Sequence, residues 1–218
     1  MASVHSPALR HHFDTVEQQK DASTLGMWIF LVTEIMFFGG AFAAYTVYRS
    51  LYPDAFAAAS NELDIVLGAV NTAVLIVSSF TMVMAVYSAQ TGRRKALAGY
   101  LLATMFFGLV FLVIKGFEWH HKWVEHHVPG PHFHFEGPYA DKAQMFFSLY
   151  FAMTGLHALH MVIGLGILAV LVWMTLRGAF SREYYTPVDV SGLYWHFVDI
   201  IWIFLFPLLY LIGRHNHG

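Results

Sequence analysis

Cysteine is absent from these 218 residues, which excludes a disulfide, an iron–sulfur cluster and any thiolate-ligated copper or haem. A metal bound here would need His, Met or carboxylate ligands. Charge is scarce as well: Asp, Glu, Lys and Arg make up 12% of the chain, against about a quarter in an ordinary soluble domain. The net charge of -2 offers no basic surface of the kind that holds nucleic acid, so that partner is excluded. No internal repeat and no second domain is visible. What dominates instead is apolar, with 57% hydrophobic and 17% aromatic residues, the composition of an integral membrane protein.

A bilayer core about 30 Å thick takes roughly 20 apolar residues in a helix. Segments at about 25–48, 63–87, 96–117, 145–176 and 190–212 meet that test. The expected fold is all-α, a bundle of five transmembrane helices forming a membrane domain over 25–213. Residues 1–24, with His5, His11 and His12, lack the apolar core of a signal peptide and are expected to be a polar inner tail, with a helix cap at Ser23 or Thr24. With the N-terminus inside, the inner connections hold Arg10, Lys20, Arg93, Arg94, Lys95, Arg177 and Arg182, and the outer ones Arg49, Lys122, Lys142 and Arg214. That bias predicts N-inside and C-outside, the Arg93-Arg94-Lys95 triplet being its strongest part.

Ionisable side chains at membrane depth are costly and usually face a protein interior. Counted along ~1.5 Å per residue, Glu34 and Asp199 each lie ~13 Å from the inner ends of their helices, near the midplane. Glu34, among Phe30, Phe37 and Phe38, is either a neutral hydrogen-bonding acid or a proton-handling one. In the second segment Asp64, Gly68, Asn71, Leu75, Ser78 and Met82 form a mostly small and polar stripe that should face other helices. Gly39 with Ala43, and Gly40 with Ala44, repeat the small-xxx-small spacing that permits close helix approach.

His157 and His160 share one face of the fourth segment, with Thr154 before them and Gly164 beyond. They read as a structural polar network, as metal ligands or as proton-transfer groups. A bis-histidine haem is disfavoured, since His196 lies ~9 Å and His157 ~28 Å from the inner ends of their helices. Paired Glu-x-x-His motifs for a di-metal site are lacking. His196 with Asp199 reads as an i,i+3 ion or hydrogen-bonded pair, and Lys115 with Glu118 as a snorkelling interfacial pair. The outer loop at 120–143 carries His120, His121, His126, His127, His132 and His134. Such tracts can bind metal, but Pro129-Gly130-Pro131 and Gly137-Pro138 favour an ordered loop that contacts a partner.

Two stretches carry a family resemblance. Thr154-Gly155-Leu156-His157-Ala158-Leu159-His160 resembles the Thr-Gly-x-His-x-x-His motif of cytochrome c oxidase subunit III, and Tyr194-Trp195-His196-Phe197-Val198-Asp199, followed by Ile200-Ile201-Trp202, resembles a second motif of that family. Glu34 falls where the family has a carbodiimide-reactive carboxyl, and Asn71-Thr72 and the Glu118 region also resemble family positions. The likeness runs from about Leu25 to Gly213.

The resemblance implies a non-redox subunit of a haem-copper terminal oxidase. Haem and copper would reside in partner subunits, with none bound by this chain. Subunit I would be its direct neighbour, with subunit II and further oxidase subunits in the complex and phospholipid at its surface. It would support proton uptake and durable turnover. Glu34, Glu118, His157, His160, His196 and Asp199 would form its internal polar network, with Asn71 and Thr72 at helix interfaces. The family's seven-helix form has two further helices ahead of the first; the polar stretch here resembles five-helix bacterial subunits of cytochrome c and quinol oxidases, and an accessory protein of nitric oxide reductase. A bacterial inner membrane is the implied location. Two rivals come from other classes: a stand-alone proton-linked transporter, although neither a broken helix nor an inverted repeat supports it, and a metal-binding membrane protein using the His-rich outer loop and tail.

Overall fold

A computed structural model describes residues 13–135 and 139–212. Expectations concerning His5, Arg10, His11, His12, Gly137, Pro138, Gly213 and Arg214 lie outside the described residues. Among those described there are only helices: α1 (Val16–Leu51), α2 (Pro53–Asn61), α3 (Ile65–Gln90), α4 (Arg94–Val124), α5 (Ala140–Leu176) and α6 (Thr186–Tyr210). All but α2 are long and apolar enough to cross a membrane, which gives the expected five spans.

The spans overrun the apolar segments. α1 has 36 residues and α5 has 37, ~54 Å and ~55 Å at ~1.5 Å per residue, well beyond a hydrocarbon core of about 30 Å. Residues 16–24 of the polar stretch expected to precede the first helix are therefore its first turns. The cap lies not at Ser23 or Thr24 but at Thr15, whose hydroxyl accepts from the Gln18 N–H at 3.0 Å while the Gln18 side chain reaches back to the Asp14 N–H at 2.9 Å. Ser23 instead donates to the Gln19 carbonyl within the helix. α4 likewise continues through His120 and His121, so the outer loop is shorter than the His-rich tract. Hydropathy could not show these extensions, because a helix keeps its hydrogen bonds where it leaves the apolar layer.

Helix ends follow local chemistry. Asp64 caps α3 by accepting from Val66 and Leu67 at 2.8 and 3.2 Å, so it is the exposed head of its stripe. α3 and α5 stop in Schellman turns at Gly92 (φ 71°) and Gly178 (φ 78°), with Arg93 N–H donating to Ser88 O and Ala179 N–H to Met174 O. Each turn receives an arginine from the other connection. Arg94 Nε donates to Thr175 O at 2.5 Å and Arg182 Nε to Thr91 O at 3.0 Å, placing cations on helix C-termini. At the opposite end, the free carbonyls of α6 are met by Tyr45 of α1, donating to Leu208 O, and by Ser60 of α2, donating to Leu209 O, both at 2.7 Å.

α3, α4, α5 and α6 pack as the body of the bundle, α1 lies along α5 and α6, and α2 crosses α5. The wedge at the centre is Trp195. A Cβ on Gly108 of α4 would fall 2.8 Å from its ring and one on Gly164 of α5 would fall 2.9 Å away. Its Nε1 donates to Ser78 Oγ of α3 at 3.0 Å. Close approach through small residues thus occurs at Gly108 and Gly164, and at Gly68 against Phe206. It does not occur at Gly39 or Gly40, where a Cβ would meet nothing within 4 Å and the helix face is exposed. The stripe Gly68, Asn71, Leu75, Ser78 and Met82 is buried as expected.

Candidate functional site

The polar residues of the spans separate into three places rather than one network. At the first, Glu34 Oε2 of α1 lies 3.1 Å from His160 Nε2 of α5. His160 Nδ1 faces the Leu156 carbonyl at 2.8 Å. A carbonyl can only accept, so Nδ1 carries a proton, and Nε2 meets Glu34 either as a lone pair receiving the acid's proton or as the N–H of an imidazolium. One proton is held between the two groups in either form. Phe38 packs on the imidazole with ring centroids 5.2 Å apart, and Tyr194 stacks at 6.5 Å and 28°. Tyr194 OH also donates to the His160 carbonyl at 3.0 Å. Glu34 is consequently a paired acid, not an isolated one.

The second place is built on Lys115 and Glu118 of α4. These do not snorkel: their side chains are each only 3% exposed. Lys115 Nζ donates to Glu118 Oε2 at 3.2 Å, Tyr150 OH at 3.1 Å and Tyr210 OH at 2.5 Å, using all three ammonium protons. Tyr150 and Tyr210 in turn donate to Glu118 Oε1 at 2.7 and 2.5 Å. The Trp202 face lies 5.0 Å from the ammonium. Full satisfaction explains why an ion pair can sit inside the bundle, with α5 and α6 supplying the hydroxyls that water would supply outside.

His157 is next to this cluster but outside its hydrogen bonds. It lies between Phe111 and Trp202, each 5.3 Å away by centroid, and neither ring nitrogen has a hydrogen-bond partner among the described residues. The shared face of His157 and His160 thus serves two sides, α1 for His160 and α4 with α6 for His157. Thr72 accepts from Trp202 Nε1 at 3.1 Å, whereas Asn71, fully buried, makes no side-chain hydrogen bond among the described residues.

The third place joins α3 and α6. Ser79 Oγ and His196 Nδ1 are 2.7 Å apart, and Asp199 adjoins Ser79 at the wall of a cleft of 410 Å³. The expected His196–Asp199 pair does not form a hydrogen bond. His196 turns to α3, and both Asp199 oxygens are buried without hydrogen-bond geometry to any described residue.

In the outer loop, His127 stacks on Phe147 at 5.0 Å and 18°, Phe133 and Phe135 pack against the core, and His134 N–H donates to His126 O at 2.9 Å. Glu125 is bound by Lys122 at 2.5 Å and His121 at 3.0 Å. His127 Nδ1 lies 3.3 Å from Glu125, close enough for charge but not aligned as a hydrogen bond. Burial works to raise the Glu125 carboxyl, yet the Lys122 bond and charge outweigh it and the group ends below its ordinary value. Burial, then Lys122, push His127 down. Among the described residues no three His, Asp or Glu side chains converge as metal ligands would.

The central partners not foreseen were Trp195, Trp202, Tyr150, Tyr210, Tyr194 and Ser79. Trp195 and Tyr194 stand beside the chosen His196 in the second motif, but nothing in spacing says that an indole, not the histidine, fills the bundle centre.

These positions can be compared with known proteins. The family described as cytochrome c oxidase subunit III matches residues 6–214. The chain is similar to a cytochrome c oxidase subunit 3 of Synechocystis sp., 33% identical over 193 residues, covering 88% of this chain and 76% of the relative. It is 33% identical to a probable cytochrome c oxidase subunit 3 of Nocardia farcinica over 189 residues, 87% of each chain. A cytochrome bo(3) ubiquinol oxidase subunit 3 of Pseudomonas putida is 29% identical over 197 residues, 88% of this chain and 86% of the relative. With that match running through Glu34, the Thr154–His160 stretch and the Tyr194–Asp199 stretch, the chain belongs to the cytochrome c oxidase subunit III family.

Proposed function

We propose that this chain is the non-redox subunit of a proton-pumping haem-copper terminal oxidase. In this reading it packs directly on the large haem- and copper-bearing subunit I, with subunit II and others in the same complex, and sits in a bacterial plasma membrane. The observation that carries the reading is the family match along residues 6–214. The membrane domain is residues 25–213, with the N-terminus inside and the His-rich loop outside. Arg94 and Arg182, gathered at one end of the bundle, support that orientation by the positive-inside rule.

Within the complex, Glu34 and His160 hold a proton at membrane depth and support proton uptake, while Glu118 with Lys115, and His157, His196 and Asp199, keep the bundle in register. Asn71 and Thr72 serve the α3 interface. Phospholipid covers the exposed apolar rows of α1, including Trp28, Ile29, Val32 and Met36. Haem and copper are supplied by partner chains.

The test is purification of the tagged chain from its native membrane in mild detergent, followed by a reduced-minus-oxidised spectrum and metal analysis. Haem and copper that accompany the chain and vanish when it is stripped to purity are the expected outcome. A chain that emerges alone from every gentle detergent would overturn the reading and return the proton-linked transporter. The Pseudomonas putida relative favours a second reading, in which quinol rather than cytochrome c feeds the complex; offering each donor to the purified complex decides between them.

A further inference from the structure

A groove of 460 Å³ runs between α1 and α6, from Trp28 and Leu193 to Phe42 and Phe204. The two helices point the same way, with Phe30 against Tyr194, Phe38 against Phe197 and Tyr45 on the Leu208 carbonyl, so the groove follows their axes. Trp28 to Phe42 covers ~21 Å at ~1.5 Å per residue. Trp28, at one mouth, and His196, partway along, are the only lining side chains with a polar atom. Gly39 leaves the α1 wall open, since a Cβ there would meet nothing within 4 Å.

Shape excludes a helix inside this groove. Its volume spread over that length gives a cross-section of about 22 Å², against ~80 Å² for a helix about 10 Å across. One extended carbon chain fits. His196 adds a chemical demand. Its Nδ1 is engaged by Ser79 Oγ at 2.7 Å, and Nε2, on the flank of the ring turned away from α3, has no hydrogen bond to a described residue. The unpaired atoms of Asn71, His157 and Asp199 are sealed from any occupant, whereas Nε2 of the half-buried His196 keeps accessible surface. It lies ~15 Å from one end of α6 and ~21 Å from the other. A phospholipid headgroup stays outside a hydrocarbon core about 30 Å thick, and an acyl chain brings nothing to pair with the nitrogen. In lipid an unpaired polar atom is costly.

Ser79 has one hydroxyl proton and two neighbours, His196 and Asp199. With that proton toward Asp199, Nδ1–H donates to Ser79 and Nε2 accepts; with it toward His196, Nε2 carries the N–H and donates. The occupant is therefore a slender apolar molecule whose polar group, at mid-membrane height, is a hydroxyl in one state and a carbonyl in the other. A quinol and its quinone are such a pair. We infer that the α1/α6 groove binds an isoprenoid quinone, its prenyl chain lying along Gly39, Phe42 and Phe204 and a ring oxygen hydrogen-bonded to His196 Nε2. This goes beyond the oxidase-subunit reading and does not depend on it, because the groove is formed by this chain alone.

A ubiquinone analogue with an azide on its ring and a short prenyl tail, photolysed with the full chain in native membranes, tests this. The label should attach to α1 or α6 along the groove. A tenfold excess of unlabelled ubiquinone should remove it, and the same excess of dioleoyl phosphatidylglycerol should not. Gly39→Leu fills the groove from a position where the protein offers no clash, so the variant should accumulate in the membrane as the unaltered chain does while labelling falls about tenfold. His196→Leu should lower labelling similarly, and His196→Gln, whose amide reaches the Nε2 position, should retain it. Label spread evenly over the lipid-facing helices, no label in the groove, displacement by phosphatidylglycerol as readily as by ubiquinone, or full labelling of Gly39→Leu would each overturn the inference. Haem that accompanies the unaltered chain decides the oxidase reading separately, since labelling of the groove neither requires nor supplies a haem-bearing partner.

Discussion

Glu34 Oε2 and His160 Nε2 meet at 3.1 Å across α1 and α5, and the hydrogen bond from His160 Nδ1 to Leu156 O at 2.8 Å leaves a single proton to be shared between acid and imidazole. The pair ties the outlying first span to the body of the bundle, in addition to any part it has in proton handling.

Those two roles separate in Glu34→Gln. The amide can donate to Nε2 and keep the tie, so chain stability should stay within about 1 kcal/mol, the size of one hydrogen bond, and assembly should be unaffected. The shared proton is gone, so turnover of the complex should decay faster in a sustained assay. Measuring haem recovered per chain alongside the decay rate checks this; an unchanged decay would reduce Glu34 to packing.

Lys115→Met removes the cation that Glu118, Tyr150 and Tyr210 surround. Breaking a buried pair from one side strands the other charge, at a cost of about 3–5 kcal/mol. Detergent-solubilised chain should unfold at a markedly lower temperature. A loss under about 1 kcal/mol would mean that the cluster is open to water in the membrane.

Two glycines of one helix give a steric comparison. Gly108→Ala would place a methyl 2.8 Å from the Trp195 ring, whereas Gly116→Ala meets nothing within 4 Å. Overpacking predicts a loss of about 1–3 kcal/mol for the first, and helix propensity predicts no loss, or a gain of up to about 1 kcal/mol, for the second. Thermal unfolding of both variants shows whether Trp195 is the wedge described above; equal effects would deny it.

The outer loop should lose stability on acidification. His127 is held below its ordinary value of 6.5 by burial and then by Lys122, so the unfolded loop takes up a proton first as pH falls. Its contribution is whole above 6.5 and is lost as pH drops through the folded value. Glu125, held below 4.5 because Lys122, His121 and His127 outweigh its burial, acts in the same direction at more acid pH. Thermal stability measured from pH 7.5 to 5.5 should fall, and His127→Phe, which keeps the stack on Phe147, should flatten the slope. An equal slope in the variant would place the sensitivity elsewhere.

Sequence alone determined the number of spans and the family, because apolar length is a local property and the two late motifs are contiguous. It also marked Gly68, Asn71, Leu75 and Ser78 as an inward stripe, since period fixes a helix face. Only the tertiary structure decided the partners of the polar groups. Spacing put His157 with His160 and His196 with Asp199, but i,i+3 neighbours differ enough in direction to meet different helices, and the side-chain partners are Glu34 for His160 and Ser79 for His196. Spacing likewise sent Lys115 and Glu118 to the interface, because it could not show that α5 and α6 would bring Tyr150 and Tyr210 to them. Hydropathy ended α1 and α4 at the edge of the apolar layer, whereas the helices end at Val16 and Val124, where capping and turn hydrogen bonds stop them.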